Sequence, residues 1–184
     1  MVSIREGNQV EMEMKSSFEL GKTFFLLELT GNEKASEMVK KCRSLNIAER
    51  TDISQGSEFV FPEADRRYLF YRKIKENILA VFEILEKDGL VLQSGIQLIY
   101  PPERWLGEIS SYYQKLLRVL ETNYGLPVWI NLNEKGILSF ENKKVFSYLS
   151  EFKMGDKDVL TVRAASRAFW SDWESYLISG IRGK

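Results

Sequence analysis

The run LVLQSGIQLIY, Leu90 to Tyr100, constrains the fold more than any other stretch of this 184-residue chain. It is almost uniformly apolar and bracketed by turn formers, Asp88-Gly89 before it and Pro101-Pro102 after it. Such a run reads as a buried strand, broken or bulged at Ser94-Gly95, and a buried strand commits the chain to a sheet. Nothing in the chain approaches the roughly 20 apolar residues that a membrane-spanning helix needs, so no membrane partner is expected.

Around that strand the pattern is mixed. Val10, Met12 and Met14 alternate with charged residues as in a half-exposed strand, and Thr23 to Leu29 and Ser57 to Phe61 read as two more. Between them, EKASEMVKKCRSLN places Ala35, Met38, Val39 and Cys42 on one face of a short helix capped by Asn32. From Glu63 to Lys87, apolar residues recur every three or four positions, which predicts a long amphipathic helix. A second long helix starts at Pro101-Pro102-Glu103, runs along Trp105, Ile109, Tyr113, Leu116 and Leu120, and stops at Gly125. LPVWINLNEKGILSF is expected as a hairpin turning through Asn133 to Gly136, with the glycine at positive φ. A short helix is expected near Lys144 to Phe152, and Asp158 to Arg163 suits either a strand or the opening of the last helix.

The C-terminal stretch RAFWSDWESYLI sets Phe169, Trp170, Trp173, Tyr176 and Leu177 within an arc of about 140° on a helix, opposite Ser171, Asp172 and Ser175. Ser171 and Glu174 also match a capping box. Rings of this size bury roughly 150–250 Å² each, so the stripe either closes the protein's own core or anchors a partner. The fold class expected is α+β: a mixed or mainly antiparallel sheet packed against two long amphipathic helices and a C-terminal aromatic helix. It is one domain over 1–184, or two packed lobes, a β-rich 1–62 and an α+β 63–184.

Composition narrows function mainly by exclusion. The chain has no histidine and a single cysteine, Cys42, so His-based acid–base catalysis, Ser/His/Asp machinery and Cys/His zinc sites are unavailable. No G-x-G-x-x-G, G-x-S-x-G or Walker A pattern occurs, and no cofactor or metal is indicated. One cysteine and no secretory leader pattern suggest a cytoplasmic protein. Twenty glutamates against six aspartates, with fifteen lysines, lean toward a thermophilic source. Lys plus Arg equals Asp plus Glu at 26 each, so any charged site must be local.

The one concentrated basic segment is RRYLFYRKIK, where Arg66, Arg67, Arg72, Lys73 and Lys75 interleave with Tyr68, Phe70 and Tyr71. Cations can neutralise phosphates and rings can stack on bases, which makes it a nucleic-acid or anion-binding candidate, with Arg163 and Arg167 as possible additions. Arg67 stands out because a helix would aim it into the middle of the apolar face, where it must snorkel or meet a buried carboxylate or ligand. The sequence therefore suggests a non-catalytic protein acting through protein–protein contacts, as a homodimer or accessory subunit, with Phe169, Trp170, Trp173 and Tyr176 at the contact. A nucleic-acid-associated factor using the basic segment is the second reading.

Overall fold

A computed structural model describes residues 18–45, 47–50, 64–132 and 135–169. Its centre is one antiparallel sheet of eight strands: β1 (Ala48–Arg50), β2 (Arg66–Lys75), β3 (Ile78–Lys87), β4 (Leu90–Tyr100), β5 (Val128–Leu132), β6 (Lys135–Glu141), β7 (Val145–Met154) and β8 (Lys157–Ser166). The order across the sheet is β1-β2-β3-β4-β8-β7-β6-β5. Two meanders, β2-β3-β4 and β5-β6-β7-β8, thus meet where β4 pairs with β8, and the apolar run Leu90–Tyr100 is a central strand as its composition requires.

The first of the two expected long helices is absent. Arg66 to Lys87 instead form the β2–β3 hairpin, turning through Glu76-Asn77 with Asn77 at φ 64°. The three-and-four spacing misled because β3 is buried on both faces: Ala80, Phe82 and Ile84 point one way and Val81, Glu83 and Leu85 the other, so period-two alternation vanishes. Asparagine alone supplied the turn, without the glycine or proline that would have marked it. The helix expected near Lys144 to Phe152 is also absent, since Val145 onward is β7, and Asp158 to Arg163, left open between strand and helix, belongs to β8.

Further expectations are corrected. Thr23–Leu29 lies mostly in a 3-10 segment, Leu20–Leu27, which buries Leu20, Leu26 and Leu27 over the sheet; Thr23 Oγ1 turns back to donate to the Leu20 carbonyl at 2.7 Å. The short helix α1, Ala35–Ser44, is not capped by Asn32: the Glu33 carboxylate accepts from the Thr30 and Gly31 backbone N–H groups, and the Ala35 N–H donates to Gly89. Gly136 does not turn the β5–β6 hairpin but sits inside β6, paired with Asn131. The β4 irregularity falls at Leu92, opposite Leu85–Glu86, and not at Ser94-Gly95. The expected strands at 10–15 and 57–61 and the helix over 170–184 lie outside the described residues.

The second long helix is present. It begins at Pro102 in a 3-10 turn, passes through a π-turn at Trp105–Ile109, and continues as α2, Ser110–Tyr124, ending at Gly125 with φ 88°. It carries the chain from the centre of the sheet at β4 to the far edge at β5. The 3-10 segment, α1 and α2 all bury their apolar residues against one face of the sheet, here the helical face. A row of directly paired residues, Phe70–Phe82–Ile96–Val162–Leu149–Leu138, crosses that face under them. Tyr124 ties the layers, its hydroxyl donating to the Leu27 carbonyl at 2.5 Å and accepting from the Leu29 N–H at 2.8 Å. No helix among the described residues is long and apolar enough to cross a membrane.

Cys42 faces this core, fully buried on α1. Burial first, and the nearby Glu49 charge second, push its thiol up to about 12. Because the thiolate is the nucleophile, native protein at pH 8 is expected to resist a thiol reagent such as Ellman's and to react stoichiometrically only once unfolded in urea. Full labelling of native protein within minutes would contradict this placement.

Candidate functional site

The two candidate sites of the sequence are placed as follows. Phe169 is half-buried against a small cluster of Leu85, Leu92, Phe146 and Ala165, on the face of the sheet away from the helices. Trp170, Trp173 and Tyr176 lie outside the described residues. The basic segment is strand β2, which sends Arg66 and Arg72 toward the helical face and Arg67 and Lys73 toward the opposite one. Arg72 sits over the Phe18 ring, 5.5 Å from its centroid, and the Lys75 ammonium pairs with Glu108 at 3.0 Å. The strand therefore divides these cations between two faces and does not gather them into one stripe.

Arg67 meets a carboxylate, the second of the two fates expected for it. On the face opposite the helices, its Nε donates to Glu83 Oε2 at 2.7 Å, and Gln93 Nε2 donates to Glu83 Oε1 at 3.1 Å. Arg163 reaches the same Oε1 at 3.9 Å and donates to the Tyr148 hydroxyl at 3.2 Å. The strand register explains how. Glu83, Gly95, Arg163 and Tyr148 are consecutive partners across β3, β4, β8 and β7. With no side chain, Gly95 lets Arg163 lie down across its strand; a Cβ there would stand 2.7 Å from Arg163 Cγ and 2.6 Å from the Val162 carbonyl oxygen. Two guanidinium groups thus share one carboxylate in a place where Glu83 and Arg163 are almost fully buried. Sequence reasoning reached Arg67 and named Arg163 only as a possible anion-binding addition; it missed Glu83, which reads as an exposed charge on an expected helix, and so missed that the three meet.

The two edges of the sheet differ in kind. The β1 edge is three residues long and guarded by a bidentate ion pair, Arg43 to Glu49, both contacts at 2.8 Å, which holds the Glu49 carboxyl below its ordinary range. At the β5 edge, the run LPVWINL, Leu126 to Leu132, has no charge at all. Of the large hydrophobic side chains exposed among the described residues, three of five are here: Leu126 at 87%, Trp129 at 66% and Val128 at 63%. Trp129 lays its ring over the bare backbone of Gly136, where a Cβ would come within 2.1 Å of Cη2 and Cζ2. An aromatic ring shielding a cross-strand glycine stiffens the hairpin while leaving its other side in solvent. Among the described residues no strand lies beyond β5, which is the end strand of the sheet.

Among the described residues, no group of three or more Cys, Asp or Glu side chains is placed to hold a metal ion. Compared with known proteins, the chain matches no family model, no curated relative and no solved structure.

Proposed function

We propose that this is a non-catalytic protein whose working surface is the open β5 edge, through which it associates with a second copy of itself by antiparallel strand pairing. The observation behind this reading is the uncharged edge with exposed Leu126, Val128 and Trp129. Sheet edges are normally defended with charged side chains, a bulge or a covering element, and among the described residues the β1 edge carries such a defence while the β5 edge does not. Pairing would satisfy the backbone and cover the three side chains together. Burying each fully is worth about 1.5–3 kcal/mol, set against an association cost of about 4–15 kcal/mol, which leaves room for a dimer in the micromolar range, about 8 kcal/mol.

Val128→Lys tests the proposal. A lysine on an edge strand blocks pairing at little cost to the monomer, because Val128 is already mostly exposed. Light scattering across about 1–100 μM is expected to show the parent mass rising from monomer to dimer. The lysine variant, equally folded by circular dichroism, is expected to stay monomeric. A parent that is monomeric throughout, or a variant that dimerises as the parent does, would remove β5 as the contact.

A further inference from the structure

At the end of the helical face where β4 hands over to the following helix, three rings and two carboxylates meet. Trp105 stacks on Tyr100 with centroids 6.4 Å apart and 29° between planes, and Tyr113 meets Trp105 edge-on at 5.7 Å and 67°. The strand register brings the acids to the same place. Asp158 of β8 is the direct partner of Tyr100, and Glu151 of β7 pairs with Leu160, two residues on from Asp158. The two acids thus stand on one face as diagonal neighbours, about 7–8 Å apart at Cα. Burial first, and the Asp158 charge second, raise the Glu151 carboxyl above its ordinary range; the Tyr113 phenol is raised by burial and then by Glu151. Among the described residues neither carboxylate has an ion pair, although Lys153 lies across from Asp158. The Tyr100 side chain is 1% exposed, and among the described residues its hydroxyl has no hydrogen-bond partner, while the charges of Glu151 and Asp158 both act on it.

We propose that this corner binds an alkylammonium ion, with Glu151 and Asp158 as counter-charges, the Tyr100 hydroxyl as an acceptor, and Trp105 and Tyr113 as walls. Each part of the cluster asks for the same guest. Two carboxylates on one face repel, and a cation between them offsets that cost. A buried phenol oxygen without a partner gains one when an ammonium N–H donates to it. Ring faces attract a cation, tryptophan most strongly. A divalent metal fits worse, because calcium takes about six to eight oxygen ligands and two carboxylates with one phenol supply too few. The described residues also place no group of three acids to hold such an ion. A free amine and a lysine side chain of another protein present the same group, and it is the group that the geometry specifies. The corner uses no residue of β5, so it stands or falls apart from self-association.

Ligand-observed NMR on the full chain tests this, with diaminobutane as the free amine, the methylamide of acetyl-lysine as the side-chain analogue and butanol as the uncharged control. At least one amine is expected to saturate the protein with Kd at or below about 1 mM while butanol does not, and the tighter of the two identifies the carrier. Glu151→Gln, at a side chain that reaches solvent, and Trp105→Leu should each weaken binding about tenfold with circular dichroism unchanged. Should Trp105→Leu fail to fold, Trp105→Phe, which keeps a weaker ring, should still lose several-fold. Glu37→Gln, an exposed carboxylate on α1, should bind as the parent does. The proposal is overturned if neither amine reaches that affinity, if butanol binds as well as the amines, or if magnesium chloride binds more tightly and displaces them. It is equally overturned if Glu151→Gln binds as the parent does, or if Glu37→Gln weakens binding as much as Glu151→Gln.

Discussion

Replacing Glu83 with leucine is expected to destabilise the protein by about 3–5 kcal/mol, because two guanidinium groups would lose their shared carboxylate where water cannot replace it. Glu83 binds Arg67 at 2.7 Å and Gln93 at 3.1 Å, and Arg163, 3% exposed, reaches the same carboxylate at 3.9 Å. Urea unfolding would show the loss as a lower midpoint at unchanged slope. Glu83→Leu combined with Arg163→Leu should recover part of it, since the second change removes the charge that the first left stranded. A loss below about 1 kcal/mol for Glu83→Leu alone would mean that the cluster is solvated and contributes little.

The second large effect is at Gly95. Alanine there would put Cβ 2.6 Å from the Val162 carbonyl oxygen and 2.7 Å from Arg163 Cγ, and backbone in the centre of an eight-stranded sheet has nowhere to go. Gly95→Ala is expected to cost about 3 kcal/mol, at the upper end for overpacking. Adding Arg163→Ala removes one of the two collisions and should not restore stability, because the carbonyl contact persists and Glu83 loses a partner. A Gly95→Ala protein within 0.5 kcal/mol of the parent, roughly the noise of a neutral surface change, would show that the β4–β8 register differs from the one described.

These two residues also show where the sequence was legible and where it was not. Leu90–Tyr100 announced a buried strand, and the helix after Pro101-Pro102 announced itself through its proline start, its stripe and Gly125, because both signals are local. Ser94-Gly95 was noticed but misread as a break. The demand for glycine comes from the Val162 carbonyl and the Arg163 side chain, more than sixty positions away and visible only through the pairing of β4 with β8. The β2–β3 hairpin failed for a related reason: a strand buried on both faces loses its alternation, and its apolar residues then fit a helix by coincidence of spacing. Arg67 stands out in the sequence because its aim into apolar surroundings makes no sense alone, and its partner Glu83 is the diagonal neighbour across the β2–β3 hairpin, next to the directly paired Leu85, a relation that a helix reading of the segment hides. The β5 edge had a readable sign in the uncharged run Leu126 to Leu132, but whether such a run lies inside a sheet or at its rim is decided by strand order, which no local pattern encodes.

Placing the contact at β5 makes the state of that strand depend on concentration, and amide hydrogen exchange reads it directly. Exchange of the Val128–Leu132 amides should be fast at about 1 μM and slow markedly by about 100 μM, while amides of central β4 and β8 hold constant protection at both. Exchange of 128–132 that is independent of concentration, in protein shown to associate, would place the interface elsewhere and contradict the account.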